Sequence, residues 1–255
     1  MQASLHEHKG EDEARTLTCE AAAFQLCELT RSLTVADEPR AIAALEQAAL
    51  AGGADAALFV SMVPEAGQAL YRSIAALDPG WSSSALRHLC SDPLCWLAHA
   101  KRSSEPLLVC TRLGSGPAVT GTDRTRQERP RAIWLVPAPP PVGSDVLGVL
   151  MLAGREAQQL DPAGRLMPVY RALALGLTDW FQRRDREALM ARARLTDRDL
   201  DLLRHESIGH GSKRIATALH AEPKTIDCWF HRLNMRLGVA NRREAVRLCQ
   251  RYGLL

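Results

Sequence analysis

The sequence predicts an α+β protein in two parts. The first is an N-terminal α/β/α sandwich around a central antiparallel sheet, and the second is a C-terminal domain of four helices containing a helix-turn-helix. Three observations predict this. Five short apolar runs bounded by turn residues lie between residues 55 and 154, with helical spacing before and after them. The stretch 195–255 reads instead as four short amphipathic helices. Charge divides at nearly the same place: residues 191–255 hold 13 Lys+Arg against 7 Asp+Glu, whereas residues 1–190 hold 19 against 22. A length of 255 residues suits two unequal domains, and 46% hydrophobic with 24% charged residues leaves ample material for two cores. A basic final quarter on a mildly acidic body points to a polyanion as the partner of the smaller domain.

In chain order, the opening "MQASLHEHKGEDEARTL" lacks the basic-then-apolar order of a signal peptide, and residues 1–16 are expected to be a mobile polar leader. Helical patterns follow over 17–33 and 37–51, the second stopped by Gly52-Gly53. "DAALFVSMV" (55–63) and "QALYRSIAAL" (68–77) read as strands, "WSSSALRHLCSDPLCWLAHAKR" carries mixed helical spacing, and "PLLVC" (106–110) is a short buried strand. After a polar, glycine-bearing segment (113–130), "AIWLVPA" (132–138) and "VLGVLMLAG" (146–154) form two more strands joined by the turn-rich "PPPVGSD". A long amphipathic helix is expected over 162–190. The first domain is thus drawn at 17–188, a linker at 189–194 and the second domain at 195–255. A sheet covered by helices suits a sensor domain with a pocket between its layers.

Several classes are excluded. No apolar run approaches the roughly 20 residues needed to span a bilayer, so no membrane partner and a cytoplasmic location are expected. The seven cysteines form no dense framework and suit small hydrophobes in a reducing compartment. "HLCSDPLCWLAH" gathers His88, Cys90, Cys95 and His99, but without the tight CxxC-type pairs of zinc sites, so no metal and no cofactor are expected. A cysteine enzyme acting on an acyl substrate, with Cys90 or Cys95 as nucleophile and His88 or His99 as base, lacks any oriented triad pattern. The chain is not expected to be an enzyme.

The C-terminal module opens with "ARLTDRDLDLLR", in which Thr196 is the N-cap, Asp199 the capping-box acid, and Leu195 with Leu200 the apolar staple. Gly209 and Gly211 interrupt before Ser212, the expected cap of "KRIATALH", whose apolar stripe is Ile215, Ala216 and Leu219. Pro223 opens the next helix at its first position. There Ile226, Phe230, Leu233 and Leu237 fall at i, i+4, i+7 and i+11 on one face. A turn of about 100° per residue sets Lys224, Cys228, His231 and Met235 opposite, with Asp227 and Arg232 at the flanks. "NRREAVRLCQRYGLL" supplies the fourth helix. Two short helices joined by a tight turn, the second with a polar outer face, describe a helix-turn-helix.

Residues 195–242 resemble the DNA-binding domain of LuxR-type transcriptional regulators. The family pattern is matched by Leu195, Thr196, Arg198, Leu203, Gly209, Ile215, Ala216, Leu219, Thr225, Ile226, Leu237, Gly238, Val239, Asn241 and Arg242. The resemblance implies double-stranded DNA as partner. It makes Thr225 a phosphate contact, turns Asp227, Cys228 and His231 into the groove alongside Lys224, and makes Arg236 a backbone contact, with Lys213, Arg214 and Arg232 near the rim. Three positions depart from the family: Asp227 is acidic where a basic or polar residue is usual, Trp229 replaces a histidine, and Arg214 replaces a glutamate.

Upstream, "SDPLCWLAHAKRSSEPLLV" and "AIWLVPAPPPVGSDVLGVLMLAG" resemble segments of the autoinducer-binding domains of the same regulators. In those domains an Asp accepts from the ligand amide and a Trp donates to the lactone carbonyl. Asp92 matches the acid and Trp81 the tryptophan, while Trp96, Trp134 and Ala153 lie within the matching segments and complete the ligand-side candidates. Asp92 also suits a helix N-cap before Pro93, and Trp81 an ordinary core position. The family's tyrosine has no counterpart among Ser82–Leu86, its later aromatic is Val109 or Cys110 here, and its Ser or Thr is Ala153. The resemblance implies a homodimeric bacterial regulator that senses a small apolar signal, an acyl-homoserine lactone or a related molecule. Such a regulator is cytoplasmic, sits on the nucleoid when bound to DNA, and has RNA polymerase as a possible further partner. Two alternatives within the family stay open: an orphan regulator without ligand, and a heterodimerising anti-activator.

Overall fold

The structure is a computed structural model that describes residues 20–65, 68–77, 93–110, 132–140 and 145–255. The chain forms two compact units, Met1–Pro139 with Leu147–Trp180, and Pro140–Val146 with Phe181–Leu255. The expected polar leader, Trp81, His88, Cys90 and Asp92 lie outside the described residues, as does the side chain of Cys95.

In the first unit, helix α1 (20–32) is followed by α2 (Glu38–Gly52). Asp37 caps α2 by accepting from the Arg40 N–H, and Gly53 ends it at φ 66°, a left-handed conformation that favours glycine. Strands β1 (Ala56–Glu65) and β2 (Gln68–Leu77) come next, then α3 (Pro93–Arg102), β3 (Leu107–Cys110), β4 (Ala132–Ala138) and β5 (Leu147–Gly154). The sheet order is β2-β1-β5-β4-β3, every neighbouring pair antiparallel. The five strands expected from the sequence are therefore present, although β3, expected to be buried, is exposed at both ends, and the fold class is α+β.

The pleat sends alternate residues to opposite faces. One face carries Leu58, Val60, Val149, Met151 and Leu135, which pack with Trp96 and Ala100 of α3. The other carries Phe59, paired across with Leu150, and Gly148, paired with Ser61. Here the helices crowd in: a Cβ on Gly148 would stand 2.2 Å from Thr178 Oγ1 and 2.8 Å from the Phe59 ring, so only glycine fits. On this side the Tyr170 hydroxyl donates to Ala48 O (2.9 Å), and the Trp180 indole donates to Ala36 O (2.9 Å). These two bonds tie the long helix to α2 and to the turn before it.

The single helix expected over 162–190 is divided. A 3-10 turn (Ala157–Leu160) and the short α4 (Asp161–Arg165) precede α5 (Met167–Ala193). Pro168 explains the break: proline is tolerated in the first turn but clashes with the carbonyl four residues back in a continuous helix. At its far end α5 keeps helical geometry through most of 189–194, the stretch expected as a linker. Leu189 and Ala193 are buried in the core of the second unit, and Arg194 (φ 47°) ends the helix.

The second unit continues with α6 (Asp197–Ser207), α7 (Ser212–Ala218), α8 (Pro223–Leu237) and α9 (Arg242–Arg251). Their apolar stripes converge, and Leu203, Ile215, Ile226, Phe230, Leu233 and Ala245 are essentially inaccessible. Helix α7 packs on α8, and α9 on α6.

Candidate functional site

The helix-turn-helix is held by local caps and a few long-range polar ties. At the start of α6 the Thr196 hydroxyl accepts from the Asp199 N–H (3.3 Å), while Asp199 Oδ2 accepts from Thr196 N (2.9 Å). The capping box therefore closes fully, with the shorter aspartate in place of glutamate. Asp199 is buried, and its other oxygen accepts from Arg236 Nη2 at 2.6 Å. Burial pushes its pKa up, but the bonds from Arg236 and Thr196 outweigh that and hold the carboxyl below its ordinary range.

Between α6 and α7 the chain turns through Gly209 at φ 79°. Gly211, not the expected Ser212, is the N-cap of α7, with no side-chain cap bond. The Ser212 hydroxyl is engaged elsewhere: it donates to Asp227 Oδ1 (2.6 Å) and accepts from Arg242 Nη1 (2.9 Å). A tertiary partner has displaced the local capping role.

Helix α8 begins at Pro223 and ends at Gly238 (φ 68°), and buries Ile226, Phe230, Leu233 and Leu237, the stripe expected from the spacing. On its other side Lys224, Cys228, His231, Arg232 and Met235 are exposed, and Thr225 is half-buried at the N-terminal end. Lys213 and Arg214, in the first turn of α7, are exposed as well. Among the candidates, these residues form an outer surface with donors of positive charge and a free end of helix dipole, a combination suited to phosphate.

Two candidates from the sequence have partners inside the domain. Asp227 lies 2.5 Å from Arg242 Nη2 and also accepts from Ser212, and these bonds draw its pKa below the usual carboxylate range against a smaller opposing effect of desolvation. Arg236 donates to Asp199 and, through Nη1, to Arg194 O at 2.6 Å. Its guanidinium thus braces the α5–α6 junction. Arg242 was matched to the family pattern but not singled out as a working residue. It reaches Ser212 and Asp227, lies 3.9 Å from Glu206, and stacks over Phe230 at 4.2 Å. One side chain at the start of α9 so joins α6, α7 and α8.

Trp229, where the family has histidine, is partly buried. It packs on the domain core, and the Arg198 guanidinium lies 3.2 Å from its ring centroid. A further pair spans the α6–α7 turn: His205 and His210 bring their Nδ1 atoms to 2.9 Å with rings stacked at 5.2 Å. Desolvation, then the charges of Arg214 and His205, lower the His210 pKa.

In the first unit the ligand-side candidates separate. Ala153 and Trp96 join the apolar cluster on the α3 face of the sheet. Trp134 belongs to the opposite face, because its neighbours Ile133 and Leu135 pair with Ala153 and Met151; its indole donates to Leu160 O at 3.3 Å. Trp81 and Asp92 lie outside the described residues. His99 bonds to the backbone oxygen of Glu105 (2.7 Å). Among the described residues no group of three or more His, Cys, Asp or Glu could hold a metal, and no helix is long and apolar enough to cross a membrane.

Residues 193–249 match the family described as "Bacterial regulatory proteins, luxR family". The fold is similar to that of Escherichia coli SdiA, with a TM-score of 0.65 at 12% identity over 90% of this chain and 97% of that one. It is also similar to SdiA in complex with octanoyl-rac-glycerol, with a TM-score of 0.60 at 14% identity over 91% and 93% of the two chains. No curated protein matches the chain in sequence. The last quarter of this chain is therefore a helix-turn-helix domain of the LuxR family of bacterial regulatory proteins, carried on a two-part fold like that of SdiA.

Proposed function

We propose that this protein is a sequence-specific DNA-binding transcriptional regulator, cytoplasmic and homodimeric, whose N-terminal domain responds to a small, largely apolar molecule. The observation that carries the proposal is α8, in a LuxR-family domain, with one side buried and Lys224, Cys228, His231 and Arg232 exposed on the rest. In this account α8 lies in the major groove. Thr225, Lys213, Arg214 and Arg232 meet phosphates, while Cys228 and His231 face base edges, with Lys224 beside them. Phosphate contacts supply affinity and base contacts supply sequence choice. Two copies double the few base contacts one module can make, hence a homodimer on a two-fold site. RNA polymerase is the further partner expected at a promoter.

Asp227 would repel phosphate if free, which argues for an anti-activator that binds DNA poorly. Its engagement by Arg242 and Ser212 supports the DNA-binding account instead, since the charge is matched within the domain. For the sensor, the SdiA complex with octanoyl-rac-glycerol suggests neutral acyl compounds as the class of effector, acyl-homoserine lactones among them. Burial of such a molecule would order the first domain and shift the population of DNA-competent dimers.

Selection of genomic fragments by the purified protein, with and without effector, tests the proposal. Against a selected fragment, His231→Ala should change which sequences are preferred, and Lys213→Ala should weaken binding to all of them alike. The reverse pattern would overturn the groove assignment, and failure to retain any fragment would overturn the function.

A further inference from the structure

Helix α6 ends in a Schellman motif: the His210 N–H donates to His205 O (3.0 Å) and the Gly209 N–H to Glu206 O (2.9 Å), with Gly209 at φ 79°. An apolar contact between the two ends of such a turn commonly seals it. Here those ends are His205 and His210, two half-buried imidazoles stacked at 5.2 Å with planes 29° apart and Nδ1 atoms 2.9 Å apart. Both rings are therefore carried on a turn closed by two backbone bonds, and they converge through the same atom. Two bare Nδ1 lone pairs repel at that distance, so a proton or a metal ion has to lie between them. Nitrogen ligands about 2.0–2.1 Å from one ion stand about 2.9 Å apart at a right angle and about 3.3–3.4 Å apart in a tetrahedron. The observed spacing is that of the right angle, the geometry of square-planar and tetragonal Cu2+ and Ni2+. The ion sits off the line joining the nitrogens, and each ring reaches it by turning about χ2, a soft torsion in histidine. Arg214 lies close enough for its charge to bear on His210, which disfavours hard cations held by charge alone.

We infer that His205 and His210 form a bidentate site for a divalent copper or nickel ion, bound through both Nδ1 atoms with water in the remaining positions. No third His, Cys, Asp or Glu joins them among the described residues, so the ion keeps exchangeable positions. The Nδ1 proton of the ion-free pair passes to Nε2 through solvent, so the neutral pair takes up the ion without net loss of a proton. Once bound, the ion ties the end of α6 to the residue two before α7, the helix whose first turn bears Lys213 and Arg214. The expectation of no metal rests on the spacings around Cys90 and Cys95. This pair lies in the other domain, and a separation of five residues answers to no zinc motif. The site depends neither on an effector nor on DNA.

The test titrates the full-length protein with CuCl2 and with NiCl2 by calorimetry in a non-coordinating buffer at neutral pH. His205→Leu and His210→Leu are titrated beside it, since leucine restores the apolar contact usual in this turn. The other six of the chain's eight histidines can also take these ions, so the reading is the difference between proteins. The wild type should bind one ion per chain more than either variant, Cu2+ more tightly than Ni2+, with no heat from Mg2+. Saturating Ni2+ should raise the unfolding midpoint of the wild type more than that of either variant. Equal stoichiometry and affinity in the wild type and the variants would overturn the inference. Loss of the ion in one variant only would do the same, because a single imidazole would then suffice. If the leucine variants do not fold, the wild type decides: saturating Cu2+, which is paramagnetic, should broaden the amide resonances of Ser207–Gly211. Resonances there that stay sharp would contradict the site.

Discussion

The guanidinium of Arg242 grips the carboxylate of Asp227 at 2.5 Å, so the start of the last helix holds the first turns of α8, the helix proposed to face DNA. The same side chain bonds Ser212 and stacks on Phe230, so its removal should do more than unmake one surface ion pair. Arg242→Ala is expected to lower the stability of the C-terminal domain by about 2 kcal/mol and to weaken binding to all DNA sequences. Chemical denaturation of the full chain, followed by helical circular dichroism, checks the first effect. A variant as stable as the wild type would show that the bracket contributes nothing.

Arg236 gives a contrasting expectation. If its work is to satisfy Asp199 and the Arg194 carbonyl, Arg236→Ala leaves a buried carboxylate without its cation and should cost about 1–2 kcal/mol of stability. The guanidinium is partly open to water, which keeps the figure at that level. Once measured under conditions where both proteins are folded, the salt dependence of DNA affinity should be unchanged. A shallower salt slope in the variant would instead make Arg236 a phosphate contact.

Acid should act on the α6–α7 turn. The Nδ1 atoms of His205 and His210 face each other at 2.9 Å, so one must donate and the other accept, and a doubly protonated pair places two donors head to head. The folded state holds the His210 pKa below its ordinary value. The unfolded chain therefore takes up more protons as pH falls through about 6.5, and stability falls with it. Above that pH both forms are neutral and the contribution is constant. Unfolding midpoints of the full chain at pH 7.5 and 5.5 should differ less for His210→Gln than for the wild type. A wild type that gains stability in acid, or an unchanged difference in the variant, would contradict this.

What was legible in the sequence follows from how each feature is encoded. The stripe Ile226, Phe230, Leu233 and Leu237 is a local period, and burial followed it. The Thr196–Asp199 box spans three residues and closed as expected. The partner of Asp227 lies fifteen residues away on another helix, and no spacing rule connects the two; the same contact took Ser212 from its capping role. In the sheet, "AIWLVPA" is apolar throughout because both faces are covered, so no alternation told that Trp134 and Ala153 would face opposite ways. The break before Met167 was written in Pro168, and the long amphipathic pattern around it masked the signal.

The central claim is that α8 and the first turn of α7 meet the phosphates and bases of a duplex. The affinity of the full-length protein for a selected DNA fragment, measured by fluorescence anisotropy from 50 to 200 mM salt, tests it most directly. The account predicts a straight fall of log affinity with log salt, with a slope of about −0.9 for each phosphate neutralised, made shallower by about one phosphate in Lys213→Ala. A slope near zero, or one that Lys213→Ala leaves untouched, would contradict it.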